Sequence, residues 1–167
     1  MLTAAVRPLR DADWPDVVAL EAAAYRELGL SESVDGLRSR AGAGTSFVLD
    51  AGGSVIGYLL ALPYPYGRFP DLAEAGPVPD RTPNLHLHDM VVAAQHRGAG
   101  LGSRLAGHLL TVAREHGYER VSLVALYGRD AFWARQGFHL QRSVPPPPGY
   151  GPGATYLSRP LSIPADH

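Results

Sequence analysis

The sequence contains no cysteine and no lysine, and its fifteen Lys-plus-Arg positions are all arginine. Without cysteine there is no disulfide, no thiolate-ligated zinc and no thiol nucleophile on which an acyl group could rest. Without lysine, Schiff-base chemistry is excluded, and so is a Walker A loop, which ends in Gly-Lys-Ser/Thr. No apolar run approaches the ~20 residues that a membrane-spanning helix requires. The segment from Met1 to Arg7 is too short before Pro8 to hold the apolar region of a signal peptide, so the expected compartment is the cytoplasm. A net charge of −1 offers no overall attraction to nucleic acid or to an anionic membrane. Arginine used to the exclusion of lysine fits the codon usage of a GC-rich bacterial genome. A chain of 167 residues is long enough for one domain, expected over 1–167, with a proper core.

The most informative stretch is Gln95-His96-Arg97-Gly98-Ala99-Gly100-Leu101-Gly102. Before it, Leu85, Leu87, Met90, Val91 and Val92 read as a mostly buried strand. After it, Leu101, Leu105, Leu109 and Val112 recur every three or four residues, the mark of one helix face. A glycine-rich turn opening a helix leaves backbone N–H groups unpaired at the positive end of the helix dipole, which makes an anion site. Gly98 and Gly100 carry no side chain to hold a phosphate away, and Arg97 adds a fixed charge. The dinucleotide fingerprint G-x-G-x-x-G fails, because its third glycine would fall on Ser103.

The remaining elements follow from pattern. A strand is expected over 4–8, and a helix over about 12–25 capped by Asp11, with Pro15 in its first turn. Ser31 is expected to cap a weaker helix ending near Arg40. Strands 45–49 and 54–62 flank Asp50-Ala51-Gly52-Gly53 as a hairpin. Residues 63–83 hold six prolines and two glycines and read as a long loop. Then come a strand over 85–92, a helix over 100–116 closed by Gly117, and a strand over 120–126. A short helix near 130–136 and strands over 138–143 and 154–161 complete the order, the last two joined by the Pro145–Pro148 connector. The fold class is α+β with a mixed sheet.

The spacing Q/R-x-x-G-x-G/A, carried here by Gln95, Gly98 and Gly100, resembles the acyl-CoA loop of the GNAT N-acetyltransferase superfamily. A second signature of that family, A-x-x-Y/W-x-x-x-G-F, is matched from Trp133 to Gly137-Phe138, with Ala131 two positions before the tryptophan rather than three. Together they cover 85–138, and they are far more specific than either alone. The resemblance implies a single-domain protein of bacterial type with a mixed, mostly antiparallel sheet flanked by helices. It implies direct transfer of an acetyl group from acetyl-CoA to a primary amine of a small molecule or an amino terminus. Homodimers also occur in this superfamily. It places Met90, Val91 and Val92 along the pantetheine, and wraps Arg97, Gly98, Ala99, Gly100, Leu101 and Gly102 around the pyrophosphate. Ala131 and Trp133 would lie beside the outer pantetheine and sulfur.

The proton carriers are read from the residues. By strand alternation His86, His88 and Met90 share one face, and Asp89 points the other way unless a bulge re-aims it. In many family members a carboxylate stands at the position of His86. A neutral imidazole at His86 or His88 could deprotonate the amine, and a structural, hydrogen-bonded histidine is the equal alternative. A His-x-His pair can also hold a metal, but no cysteine and no evident third ligand accompany it, so no metal is expected. Many family members protonate the leaving thiolate with a tyrosine where this chain has Trp133. An indole N–H cannot do this. Tyr127 is the substitute, or solvent is. The departure at Trp133 also fits a non-catalytic acyl-CoA-binding sensor. The loop 63–83, with Tyr64, Tyr66, Arg68, Phe69, Asp71, Glu74 and Asp80, is expected to cover a cationic amine.

Overall fold

A computed structural model describes residues 3–76 and 82–161. Seven strands form one sheet in the order β1-β2-β3-β4-β5-β7-β6. They are β1 (Ala5–Pro8), β2 (Phe47–Ala51), β3 (Ser54–Pro63), β4 (Asn84–Val92), β5 (Arg120–Ala125), β6 (His139–Leu140) and β7 (Thr155–Pro160). Every pairing is antiparallel except β4 with β5. The helices are α1 (Trp14–Tyr25), α2 (Val34–Ser39), α3 (Leu101–Glu115) and α4 (Asp130–Arg135). Among the described residues no helix is long and apolar enough to cross a membrane.

The two faces of the sheet bury separate cores. Leu101, Leu105 and Leu109 of α3 and Trp133 of α4 pack with Leu85, Leu87 and Leu123 on one face. Trp14 and Val17 of α1 and Leu37 of α2 pack with Val48, Tyr58, Leu60 and Val91 on the other. The period-3.6 spacing of α3 therefore does what the sequence requires of it. The caps differ from expectation. Asp13 rather than Asp11 stands at the N-cap of α1, but its side chain caps no α1 amide: its carboxylate accepts the Arg10 N–H at 2.8 Å and the Arg7 guanidinium at 2.8 Å. Ser33 caps α2 through the Gly36 N–H at 3.0 Å, and the Ser31 hydroxyl donates to Glu21 instead. The strand expected over 138–143 shortens to the two residues of β6.

A bulge in β4 sets the site. Leu60 pairs with Asp89 and Ala61 with Leu87, so His88 is an extra residue with no cross-strand partner. Beyond it the alternation is reset. Leu85 and Leu87 face α3, and so does Met90, whereas Val91 joins the core beneath α1. Met90 is thus not on the histidine face, and Asp89 is turned toward α1, where the hydroxyl of Tyr25 reaches it at 2.6 Å.

Candidate active site

The parallel pairing of β4 with β5 stops at Leu87 and Leu123, although β4 runs on to Val92 and β5 to Ala125. The two strands part there, which leaves the β5-facing peptide groups of β4 after the bulge without a ladder partner. Such groups need hydrogen bonds, and an extended polar ligand can supply them. The opening belongs to a cleft of about 980 Å³ that reaches from the start of α3 to the residues around Asp89.

At one end the chain turns through Gly98 (φ +86°) and Gly100 (φ +76°) into α3. Both angles lie in the left-handed region that glycine enters without a Cβ penalty. The space in front of each is open, so neither glycine is there to make room for the protein's own packing. Gly102 differs: a Cβ there would stand 3.4 Å from Met90 Cε and 3.5 Å from Phe132 Cζ. No side chain caps α3, and among the described residues the first-turn amides have no backbone partner before Arg104, whose N–H bonds Gly100 O at 3.1 Å. These amides and the exposed Arg97 form a cradle that fits a pyrophosphate. Free β4 edge and open cradle lie in one cleft, which fits a long chain carrying amides at one end and phosphates at the other. Of the residues expected to hold the cosubstrate, all line this cleft except Ala99. Trp133 does so while staying 8 % exposed, edge-on to Phe132 and Phe138.

The other end is acidic. Glu21, Glu32 and Asp89 line it with His88 and Tyr25. Glu21 is buried and, among the described residues, is met by neutral donors only, the Ser31 hydroxyl and the Glu32 N–H at 2.7 Å. Asp89 likewise accepts from the hydroxyls of Tyr25 and Tyr58. Burial pushes its carboxyl up to about 6, against the opposing pull of His88 and the two hydroxyls. Glu32 is the exception, with Arg40 at 3.2 Å and His88 Nε2 at 2.6 Å.

The sign of the Asp89 shift gives a stability prediction. A carboxyl whose folded value lies above its ordinary 3.8 stabilises the fold below that value and loses this contribution as pH rises through about 6. At about 1.4 kcal/mol per pH unit, ionised Asp89 costs the fold roughly 3 kcal/mol above pH 6. Asp89→Asn is therefore expected to match the wild type in chemical denaturation near pH 4 and to exceed it at pH 8. A difference that does not change with pH would contradict this account.

The structure separates the two histidines. His86 is 1 % exposed and does not line the cleft. Its Nδ1 lies 2.9 Å from Ser122 Oγ, its ring stacks on Tyr156, and burial pushes it down to about 3. It is a neutral core residue, so the expectation of a base at His86 is corrected. Tyr127 stands at the mouth of the cleft, 83 % exposed. The expectation for the loop 63–83 is corrected for its described residues alone. Among its described residues only Leu72 lines the cleft. Tyr64 and Phe69 pack on His86 and Tyr150, the Tyr66 hydroxyl bonds Gln141, and the Asp71 carboxylate accepts from Ala73 within its own turn. Asp80 lies outside the described residues.

Glu21, Glu32, Arg40 and Tyr25 are the site residues that sequence reasoning missed. Glu21 had a signal, since it follows Val17 and precedes Tyr25 at helical spacing and so interrupts the apolar face of α1 with a charge. Glu32 lies in a connection between helices and had none.

The acetyltransferase (GNAT) family model matches residues 5–138. Among solved structures the chain is similar to the ribosomal-protein-S18-alanine N-acetyltransferase of Escherichia coli, with 17% identity, a TM-score of 0.72, and 98% of this chain and 97% of that one covered. It is similar to Ard1 from Thermoplasma volcanium, with 18% identity, a TM-score of 0.73 and coverages of 96% and 99%. A GNAT family acetyltransferase from Brucella melitensis in complex with acetyl-CoA gives 19% identity, a TM-score of 0.66 and coverages of 96% and 90%. Identities this low carry the fold alone. No curated protein gives a significant match. With four fifths of its length under the family match, and with the cleft and glycine turn just described, the chain belongs to the GNAT acetyltransferase family, whose cosubstrate is acetyl-CoA.

Proposed function

We propose that the protein transfers the acetyl group of acetyl-CoA directly to a primary amine, of a small molecule or an amino terminus, with a preference for cationic acceptors. The observation that carries this reading is the polarity of this cleft. An anion cradle at Arg97–Gly102 opens one end, and buried carboxylates met, among the described residues, by neutral donors, Glu21 and Asp89, line the other. Such carboxylates attract an ammonium group and repel acidic acceptors.

Bound acetyl-CoA supplies an acetyl group activated as a thioester. The free N–H groups of β4 near Met90–Val92 hold the pantetheine amides and polarise the thioester oxygen. His88 accepts a proton from the ammonium, which frees the nitrogen lone pair for attack at the acetyl carbon. As the carbon–sulfur bond breaks, the Tyr127 hydroxyl gives its proton to the sulfur. The second proton, leaving the amide nitrogen, restores the tyrosine through solvent, and His88 releases its own proton to water. Trp133 packs and takes no part in proton transfer. No acyl-enzyme on cysteine forms, since there is no cysteine.

The test is thiol release from acetyl-CoA across a panel of mono-cationic, di-cationic, aromatic and acidic amines. Cationic amines are expected to turn over at least tenfold faster than acidic ones, with no acyl-protein formed. Tight acetyl-CoA binding without turnover on any amine would instead identify a non-catalytic acyl-CoA-binding sensor.

A further inference from the structure

The surroundings of His88 are more ordered than a base alone requires. Its side chain and those of Glu32 and Arg40 are 2 %, 3 % and 3 % exposed. Glu32 Oε2 lies 2.6 Å from His88 Nε2, and Glu32 Oε1 lies 3.2 Å from the Arg40 guanidinium. Arg40 in turn donates to the carbonyl oxygens of Asp71 at 2.7 Å and Glu74 at 2.5 Å, so the segment after β3 holds it in place. Among the described residues His88 Nδ1 is buried and has no hydrogen-bond partner.

We propose that Glu32, anchored by Arg40, is a positioning residue that fixes the tautomer and orientation of His88 so that its Nδ1 lone pair meets the acceptor ammonium. This rests on the assignment of His88 as the base. An ionised carboxylate has no hydrogen to give, so Nε2 must be the donor in the Glu32–His88 contact. In the neutral ring the lone pair then falls on Nδ1, the atom left without a partner. A buried acceptor with an unused lone pair is costly to the fold. Nδ1 is covered in the ligand-free protein, so an N–H of the bound substrate supplies what it lacks once the covering side chains shift aside. The Arg40–Glu32 pair fits the same role. Burying an ion pair returns about as much as it costs in desolvation, so it does little for stability. What it provides is a carboxylate that cannot swing away. When His88 takes the substrate's proton, the imidazolium is flanked by Glu32 with Arg40 behind it, and Asp89 lies next to it on the strand. The neutral His86 has its ring centroid 6.4 Å away, and Glu21, Tyr25 and Tyr150 line the same end of the cleft.

Glu32→Gln separates positioning from packing. The side chain keeps its shape, and its oxygen is expected to stay with Arg40, which turns the amide NH₂ toward His88. Nε2 must then accept, so the ring proton moves to Nδ1 and the lone pair is withdrawn from the acceptor. The expected result is a fall in kcat of about tenfold to a hundredfold at neutral pH, part of a general base's usual 10²–10⁴. The acetyl-CoA Kd should be unchanged, and the kcat–pH profile should lose its acid limb. Nitrogen-15 NMR of the imidazole reads the tautomer without turnover. Wild-type protein should show the proton on Nε2 of His88, and the variant should show it on Nδ1. A wild-type Nδ1–H tautomer overturns the proposal, even if Glu32→Gln fails to fold. So does a variant with inverted tautomer and undiminished kcat, if His88→Gln is slow. If His88→Gln is also at wild-type rate, the assignment of the base itself has failed.

Discussion

Gly100→Glu is expected to abolish acetyl-CoA binding while leaving the protein folded. The backbone at Gly100 has φ +76°, so any L side chain there costs about 1–2 kcal/mol of strain. That is a modest loss for a chain whose other core contacts are untouched. The effect on the ligand is larger, because the space in front of Gly100 is open in the protein and belongs to the proposed pyrophosphate cradle. A carboxylate in that space displaces the ligand and presents like charge to it. Each charge-assisted hydrogen bond is worth about 1.5–3 kcal/mol, so losing two weakens binding by more than a hundredfold. Gly100→Ala is the control, with the same strain, a small side chain and no charge. It should lower the melting temperature as much as Gly100→Glu and cost far less affinity. Desulfo-CoA should still bind the wild type, since the grip on the pyrophosphate does not need the sulfur. Equal calorimetric affinity for wild type and Gly100→Glu would show that the turn is not the phosphate site.

How much of this was legible depended on whether the determinant is local. The turn at Gly98 and Gly100 was readable because the requirement is written in consecutive residues: positive φ, no side chain, and a helix directly behind. The period of α3 was readable for the same reason. The face of Asp89 was not. Strand alternation assumes an unbroken register, and the break at His88 depends on how β4 meets Leu60 and Ala61 of another strand. A one-residue slip of that kind exchanges every side chain beyond it between faces, which is why Met90 and Asp89 both moved. The acidic end was hidden for a related reason. The long loop 63–83 has the right residue types, yet its aromatics are spent on packing with Tyr150, Tyr156 and His86. The carboxylates come instead from α1, the connection to α2, and β4, which only the fold brings together.

The second large effect is expected from His88→Gln, which removes the proposed base and spares the architecture. Glutamine is close to histidine in size and can still donate to Glu32, so the buried Arg40–Glu32 pair keeps its satisfied carboxylate. It cannot take up a proton. At neutral pH kcat/KM should fall by about 10²–10⁴, the usual contribution of a positioned general base. The acetyl-CoA Kd should not move, because His88 lies at the acidic end of the cleft and the proposed phosphate cradle at the other. The shape of the profile separates this from simple damage. In the wild type the rate should follow two ionisations, that of the base and that of the acceptor amine. In His88→Gln only the amine's own should remain, so activity recovers in part as pH rises and free amine accumulates. The charged and titratable neighbours, Glu32 with Arg40 behind it, Asp89 and His86, are unchanged in this variant and cannot mimic the loss. Asp89 is the test's other possible answer, because the bulge turns it toward the same end and burial holds it at about 6. A His88→Gln variant with wild-type rate and an unaltered profile would pass the role to Asp89, and Asp89→Asn should then show the loss in its place.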